Sequence, residues 1–333
     1  MKINPTVTIG LTTYNRPEFL RQAVQSIMNQ TFMDFKLLIG NDNPANKIVF
    51  EDLGIPYDPR VEILNNSKNI GEVANMNKLL EASNSEWFTW MADDDAFHSL
   101  FLESLVNAIK NNSQPAVASY TCFTAGGSLD STFFDSVKPI KSIYMQPKDF
   151  VQQYVSRKIN LIGCYGLMST KILKKIGGMP LLGKSFSPYG DTLIPILLAE
   201  FGAINFIDMP LSFLRIHEES ISSSSSSFYA YQTAESDFLS KLEMACKNIG
   251  DKALINQITY NMVSWFRDNE FLVISRNKSI SRIAVVKSFA LYQLKVNYSR
   301  IALKYWFNFT FSTLMILFKV ITKSIYKKIL SKK

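Results

Sequence analysis

The first hundred residues alternate between short apolar runs and amphipathic stretches. Val7-Thr8-Ile9-Gly10-Leu11-Thr12 is an apolar run that ends in polar residues, and it predicts a buried strand. Tyr14-Asn15-Arg16 predicts a turn. Pro17 then suits the first position of a helix whose apolar residues Leu20, Val24, Ile27 and Met28 recur at helical spacing. Phe35 to Gly40 reads as a second strand, closing on Asn41-Asp42-Asn43-Pro44, and Val61 to Leu64 as a third. Val73 to Ala82 reads as a helix, and Trp87 to Met91 as a fourth strand that runs straight into Asp93-Asp94-Asp95. Strands alternating with helices imply an α/β fold with a doubly wound, mostly parallel sheet. Such sheets bind ligands beyond the carboxyl ends of their strands. Those ends carry Thr12-Thr13-Tyr14, Asn41-Asp42 and Asp93-Asp94-Asp95, so the unusual polar groups are expected to gather at one edge.

Beyond residue 113 the pattern is weaker. Val117 to Cys122 reads as a strand and Phe150 to Val155 as helical, while Ile172 to Ile176 ends at Gly177-Gly178, a plausible helix C-terminus. The serines from Ser222 to Ser227 read as a loop, and the chain turns helical after them. This places a boundary between a domain at 1–222 and a helical region at 223–333.

Charge sharpens that boundary. The chain has a formal net charge of +8, yet residues 271–333 hold 13 Lys or Arg and no Asp or Glu. The preceding 270 residues carry 23 basic and 28 acidic side chains. A block of one sign this long needs a partner. Its basic residues are interleaved with apolar helices rather than forming a polar stripe, and no nucleic-acid motif accompanies them, so nucleic acid is a poor candidate. Tyr305 to Phe318 is uncharged and rich in aromatics, and it is shorter than the roughly 20 apolar residues of a spanning helix. It reads as an interfacial helix, with Lys323, Lys327 and Lys328 on an anionic membrane surface; a packed core helix and a short tilted span are the alternatives. Cys122, Cys164 and Cys246 show no metal or redox spacing, and Met1 to Gly10 lacks the pattern of a signal peptide. The expected location is therefore the cytoplasmic face of the plasma membrane, held peripherally.

Three adjacent carboxylates at the end of a buried strand are costly unless something positive neutralises them. A hard divalent cation, Mg2+ or Mn2+, bound together with a diphosphate would do so; a solvated acidic turn is the plain alternative. Together with Thr12-Thr13-Tyr14-Asn15-Arg16-Pro17, Asn41-Asp42, Asn69-Ile70-Gly71 leading to Asn75, Gly190-Asp191-Thr192-Leu193 and Pro210 to His217, the triplet makes the chain resemble glycosyltransferase family 2 over about residues 5–222. The resemblance implies a GT-A (Rossmann-like) fold and a nucleotide-sugar donor. It implies that Asp42, beside Thr12, Thr13 and Tyr14, meets the nucleobase, and that Asp93 and Asp94 face the ribose or sugar. Asp95 would be the direct metal ligand, with His217 near the metal or diphosphate, a structural histidine being the alternative. Arg16 and Arg215 read as balancing phosphate charge, against surface ion pairing, which is the stronger reading for Arg215. Asp191 would deprotonate the acceptor hydroxyl, although its place before the apolar run Leu193 to Phe201 also allows a helix N-cap. His98 reads as structural. The family often has Glu-Asp where this chain has Gly190-Asp191.

The expected acceptor is a lipid-linked oligosaccharide, as in O-antigen or capsular polysaccharide assembly. Within the family, the chain's length resembles that of transferases moving a 3,6-dideoxyhexose such as abequose from its CDP-sugar. A nucleotidyltransferase would call for a glycine-rich basic loop, which Thr13-Tyr14-Asn15-Arg16 is not. A catalytically inactive binding protein would be expected to lose acidic positions, whereas Asp42, Asp95 and Asp191 are all present.

Overall fold

The structure is a computed structural model that describes residues 4–276, apart from 112–113, 130, 136–141, 184–186, 218–226 and 251. The expected interfacial helix at 305–318 lies outside the described residues, as does the serine stretch up to residue 226.

The predicted elements of the first half form. Strands β1 (Val7–Thr13), β2 (Phe35–Asn41), β3 (Val61–Asn65) and β4 (Trp87–Ala92) alternate with helices α1 (Pro17–Met28) and α2 (Glu72–Ala82). They align in the order β3-β2-β1-β4, all parallel. Side chains on β1 explain the layering. Val7, Ile9 and Leu11 point to one face with α1 and with α3 (Phe101–Lys110), while Gly10 faces α2 on the other. Gly40 has the same purpose on β2. A Cβ there would stand 2.6 Å from Asn75 Oδ1, and without it Asn75 Nδ2 donates to the Gly40 carbonyl at 2.7 Å. Helix α2 is thereby drawn onto the sheet with its N-terminus at the carboxyl edge.

The second half departs from simple alternation. A short β5 (Ala96–Phe97) follows the acidic triplet, then β6 (Ala116–Gly126), β7 (Ile143–Met145), α4 (Pro147–Val155), β8 (Gly166–Ser169), α5 (Thr170–Lys175), α6 (Gly190–Ala199) and β9 (Ala203–Arg215). The sheet continues β4-β8-β6-β9-β5, with β8 antiparallel to both of its neighbours and β6 parallel to β9. Strands β5 and β7 both pair antiparallel with β9. The result is a mixed sheet built on a parallel centre. Gly177 and Gly178 both take positive φ just after α5, as the sequence predicts for a helix end.

Two long helices, α7 (Ser227–Ile249) and α8 (Lys252–Arg276), pack on α6 and α4. Phe238, Leu242, Ile258, Met262 and Phe266 join the same apolar cluster as Phe88 and Trp90 of β4. None of the helices among the described residues is long and apolar enough to cross a membrane.

Candidate functional site

The site forms where β1, β2 and β4 end. β4 stops at Ala92, and Asp93 and Asp94 occupy a turn closed by the Asp95 N–H on the Ala92 carbonyl. Asp93 is buried against the end of β1. Its Oδ2 accepts from Thr13 Oγ1 at 2.6 Å and from the Tyr14 N–H at 3.4 Å. The Arg16 guanidinium, one residue before α1, bridges Asp93 at 3.2 Å and Asp94 at 2.8 Å. Burial pushes the Asp93 carboxyl up from the usual carboxylate range, and neighbouring Asp94 adds to this, against the pull of Thr13 and Arg16.

The antiparallel pairing of β5 with β9 carries the end of β9 to the triplet. Ala96 pairs with Phe213, so Arg215 arrives beside Asp95 and His217 beside Asp94. The Arg215 N–H donates to Asp95 Oδ1 at 2.8 Å, and its Nε donates to the Asp94 carbonyl at 2.7 Å. Its Nη2 donates to Gln22 Oε1 at 2.7 Å, and the guanidinium lies over the Phe19 ring, 4.7 Å from its centroid. Arg215 is thus a structural clamp between β9, the triplet and α1. His217 Nε2 stands 2.9 Å from Asp94 Oδ2, with its ring against Phe19.

Asp95 occupies a different position from its neighbours. It is 2% exposed, and both carboxylate oxygens are engaged: Oδ1 by the Arg215 N–H and Oδ2 by the Tyr165 hydroxyl. Burial and the adjacent Asp94 raise its pKa to about 7. Of the triplet and His217, Asp94 and His217 keep a partly open surface, as does Arg16 beside them.

Asp42 points away from the β1–β2 cleft and into the start of α2. Its carboxylate accepts from the N–H groups of Ile70 and Gly71 at 2.9 and 2.8 Å, and from Asn66 Nδ2 at 2.9 Å. It therefore ties the Asn69-Ile70-Gly71 turn to the sheet edge. Asp42→Ala is expected to cost about 1 kcal/mol, since the Ile70 N–H loses its acceptor while the Gly71 N–H and Asn66 Nδ2 keep Asn69 Oδ1 and Asn75 Oδ1, measured as a lower urea midpoint at unchanged m-value. The cleft beside it is lined by Thr13, Asn15, Arg16, Asn41, Asn43 and Asn46.

Asp191 lies at the second position of α6, following Gly190, while Tyr189 in the left-handed conformation takes the N-cap position. The N-cap alternative for Asp191 therefore does not hold. Burial raises the Asp191 pKa, opposed by backbone N–H groups of its own helical turn. It shares its electrostatic surroundings with Glu72, an exposed residue opening α2. Although Glu72 keeps open surface, the protein packed around its carboxyl removes part of its hydration and raises its pKa, with Asp191 and Asp94 adding to the effect. Sequence reasoning missed Glu72, Tyr165 and Gly163. Glu72 directly follows the Asn69-Ile70-Gly71 turn, which was the available signal; Tyr165 and Gly163 carried none. His98 is buried away from the site, accepting from the Leu100 N–H at Nδ1 and facing the Asp135 carbonyl through Nε2.

Asp94 Oδ2 and His217 Nε2 are a hard oxygen and an imidazole nitrogen in direct contact at 2.9 Å, with Arg16 Nη1 also on Asp94 Oδ2 at 2.8 Å, so a cation between them would displace these contacts at the partly open side of the site. They fit a divalent cation whose remaining ligands would be diphosphate oxygens and water. No group of three or more candidate metal-ligating side chains occurs among the described residues, so these residues by themselves offer an incomplete shell.

The family model described as Glycosyl transferase family 2 matches residues 8–177, just over half of the chain. An uncharacterized glycosyltransferase of Methanocaldococcus jannaschii is 33% identical over 112 residues, covering 32% of this chain and 38% of that protein. The GalNAc(5)-diNAcBac-PP-undecaprenol beta-1,3-glucosyltransferase of Campylobacter jejuni is 31% identical over 104 residues, covering 31% of this chain and 34% of that protein. The match thus spans little more than a third of these relatives. Among solved structures, S. aureus TarS 1-349 superposes with a TM-score of 0.59 at 11% identity, over 89% of this chain and 82% of that one. Its complex with UDP-GlcNAc superposes with a TM-score of 0.56 at 15% identity, over 91% and 79%. At these identities the likeness to TarS is one of fold.

Proposed function

This chain belongs to glycosyl transferase family 2, and from that premise we propose that it moves a sugar from a nucleotide-sugar donor to an acceptor hydroxyl. The observation that carries the reading is the meeting of Arg16, Asp93, Asp94 and His217 at the N-terminus of α1, with Glu72 feeling the charge of both Asp94 and Asp191. A helix N-terminus and an arginine favour a diphosphate. The cleft lined by Thr13, Asn15, Asn41, Asn43 and Asn46 is assigned to the nucleoside.

Asp94 and His217 are assigned as the protein ligands of Mg2+ or Mn2+. Asp95 is buried and would have to release the Tyr165 hydroxyl or the Arg215 N–H to join them, whereas Asp94 exchanges its contacts at a partly open surface, so Asp95 is assigned to hold the triplet in place. When bound, the cation neutralises charge on the departing nucleoside diphosphate. Asp191 is assigned to take the proton of the acceptor hydroxyl. Its raised pKa strengthens it as a base once it is ionised.

The C. jejuni relative's name specifies an undecaprenol-linked substrate. With the basic, acid-free segment 271–333, it supports a lipid-linked oligosaccharide as acceptor and attachment of region 223–333 to an anionic membrane. Surface polysaccharide assembly, with abequose or another 3,6-dideoxyhexose carried on CDP, is the specific donor reading put to test.

Thermal melting with UDP, CDP, GDP and dTDP, each with and without Mn2+, tests the donor site. A ligand at a hundred times its Kd stabilises by about 2.7 kcal/mol. The expected result is one nucleotide giving a metal-dependent rise; CDP supports the dideoxyhexose reading and UDP overturns it. The absence of a rise with every nucleotide, in folded protein, overturns the donor site itself.

A further inference from the structure

Helix α6 contains Pro195, four residues after Asp191. In a regular helix the N–H of residue 195 would donate to the Asp191 carbonyl. Proline has no N–H, and its ring pushes that carbonyl aside. That carbonyl, left without its helical donor, packs directly on Gly163. A Cβ at residue 163 would stand 1.8 Å from the Asp191 carbonyl oxygen and 2.8 Å from Pro195 Cδ. A contact that close with backbone cannot be relieved by turning a side chain, so only glycine fits.

The loop that carries Gly163 is held on every side. Its carbonyl accepts from the Tyr120 hydroxyl at 3.2 Å, and the Cys164 carbonyl accepts from the Trp90 N–H at 3.2 Å. Two residues after Gly163, the Tyr165 hydroxyl donates to Asp95 and accepts from the Ala92 N–H at 3.3 Å. One three-residue stretch therefore touches the backbone of Asp191 at one end and the acidic triplet at the other. From the opposite side, the left-handed Tyr189 anchors the start of α6 with its ring 4.4 Å from that of Phe266 in α8.

We propose that Gly163 and Pro195 are positioning residues that set Asp191 at a fixed distance from the donor-side aspartates, with loop 163–165 as the spacer. The proposal rests on the assignment of Asp191 as the base. Pro195→Ala restores the missing N–H and lets the Asp191 carbonyl return to the helix, withdrawing its side chain from the acceptor. The effect belongs to the transfer step and not to the nucleotide cleft.

The test measures kcat, donor KM and the nucleotide thermal shift for Pro195→Ala, Gly163→Ala, the double variant and Asp191→Asn. Pro195→Ala is expected to lower kcat at least tenfold, with donor KM and the nucleotide shift within twofold of wild type. Gly163→Ala is expected to lower kcat similarly and to lose thermal stability. The double variant is expected to regain part of that stability, because the retracted carbonyl makes room for the new methyl. If Gly163→Ala fails to fold, Pro195→Ala decides alone. Unchanged kcat in Pro195→Ala, with transfer lost in Asp191→Asn, overturns the positioning and leaves the base assignment standing. Full transfer by Asp191→Asn overturns the base assignment itself.

Discussion

Asparagine in place of Asp191 is expected to lower kcat about 10²–10⁴-fold, the range for loss of a general base, while raising thermal stability at pH 8. The two effects share one cause. Burial raises the Asp191 pKa above the ordinary carboxylate range, so the folded protein binds this proton more tightly than the unfolded chain does. Between the unfolded value, about 3.9, and the raised folded value, stability falls as pH rises; above it the cost of an ionised buried carboxylate is fully present. Asparagine removes that cost along with the base. The same reasoning moves the acid limb of the wild-type pH–rate profile above the usual carboxylate range, since only ionised Asp191 can accept a proton. Stability and kcat measured from pH 5 to 9 check both effects. Wild-type kcat in Asp191→Asn would show that another group takes the proton.

The second large effect is expected from Asp94→Ala and His217→Ala. Each should abolish the Mn2+-dependent part of the nucleotide thermal shift and weaken metal affinity by at least about 10–100-fold, the loss seen even when an outer partner of a metal ligand is removed. Arg16 and the N-terminus of α1 remain in both variants, so weaker metal-independent nucleotide binding should persist. Asp95→Asn provides the contrast. Its carboxylate is committed to the Arg215 N–H and the Tyr165 hydroxyl, and an amide preserves an acceptor for the first and a polar partner for the second. The metal response should therefore survive in Asp95→Asn. If it is lost there and retained in Asp94→Ala, the ligand assignment passes to Asp95. Asp95 has a stability signature of its own. With a pKa of about 7 against about 3.9 unfolded, it withdraws stability as pH rises through that interval.

Much of the first half of the fold was legible in local pattern. Alternating apolar strands and amphipathic helices, Pro17 at a helix start and polar residues at strand ends were enough to place β1–β4, α1 and α2, and to set Asp93-Asp94-Asp95 at the sheet edge. These features follow from side-chain periodicity and burial, which act within a few residues. The second half was less legible because its pairings are distant. β8 is four residues long and lies between β4 and β6, and β9 pairs with strands drawn from three separate stretches of chain. No short-range signal encodes such partners.

The site divides in the same way. The residue types and order of Arg16, Asp42, Asp93, Asp94, Asp95, Asp191 and His217 led the sequence reading, through the family resemblance, to expect a nucleotide-sugar site. The sequence did not determine which carboxylate faces open space and which is consumed in holding the fold. Asp42 is turned onto the N–H groups of Ile70 and Gly71, and Asp95 onto Arg215 and Tyr165, because buried polar groups must be satisfied by whatever the packing brings near them. The contact between Gly163 and the Asp191 carbonyl is likewise invisible in one dimension. A strand's periodicity and a residue's chemistry are local properties of the chain. The neighbours that direct each side chain are supplied only by long-range packing.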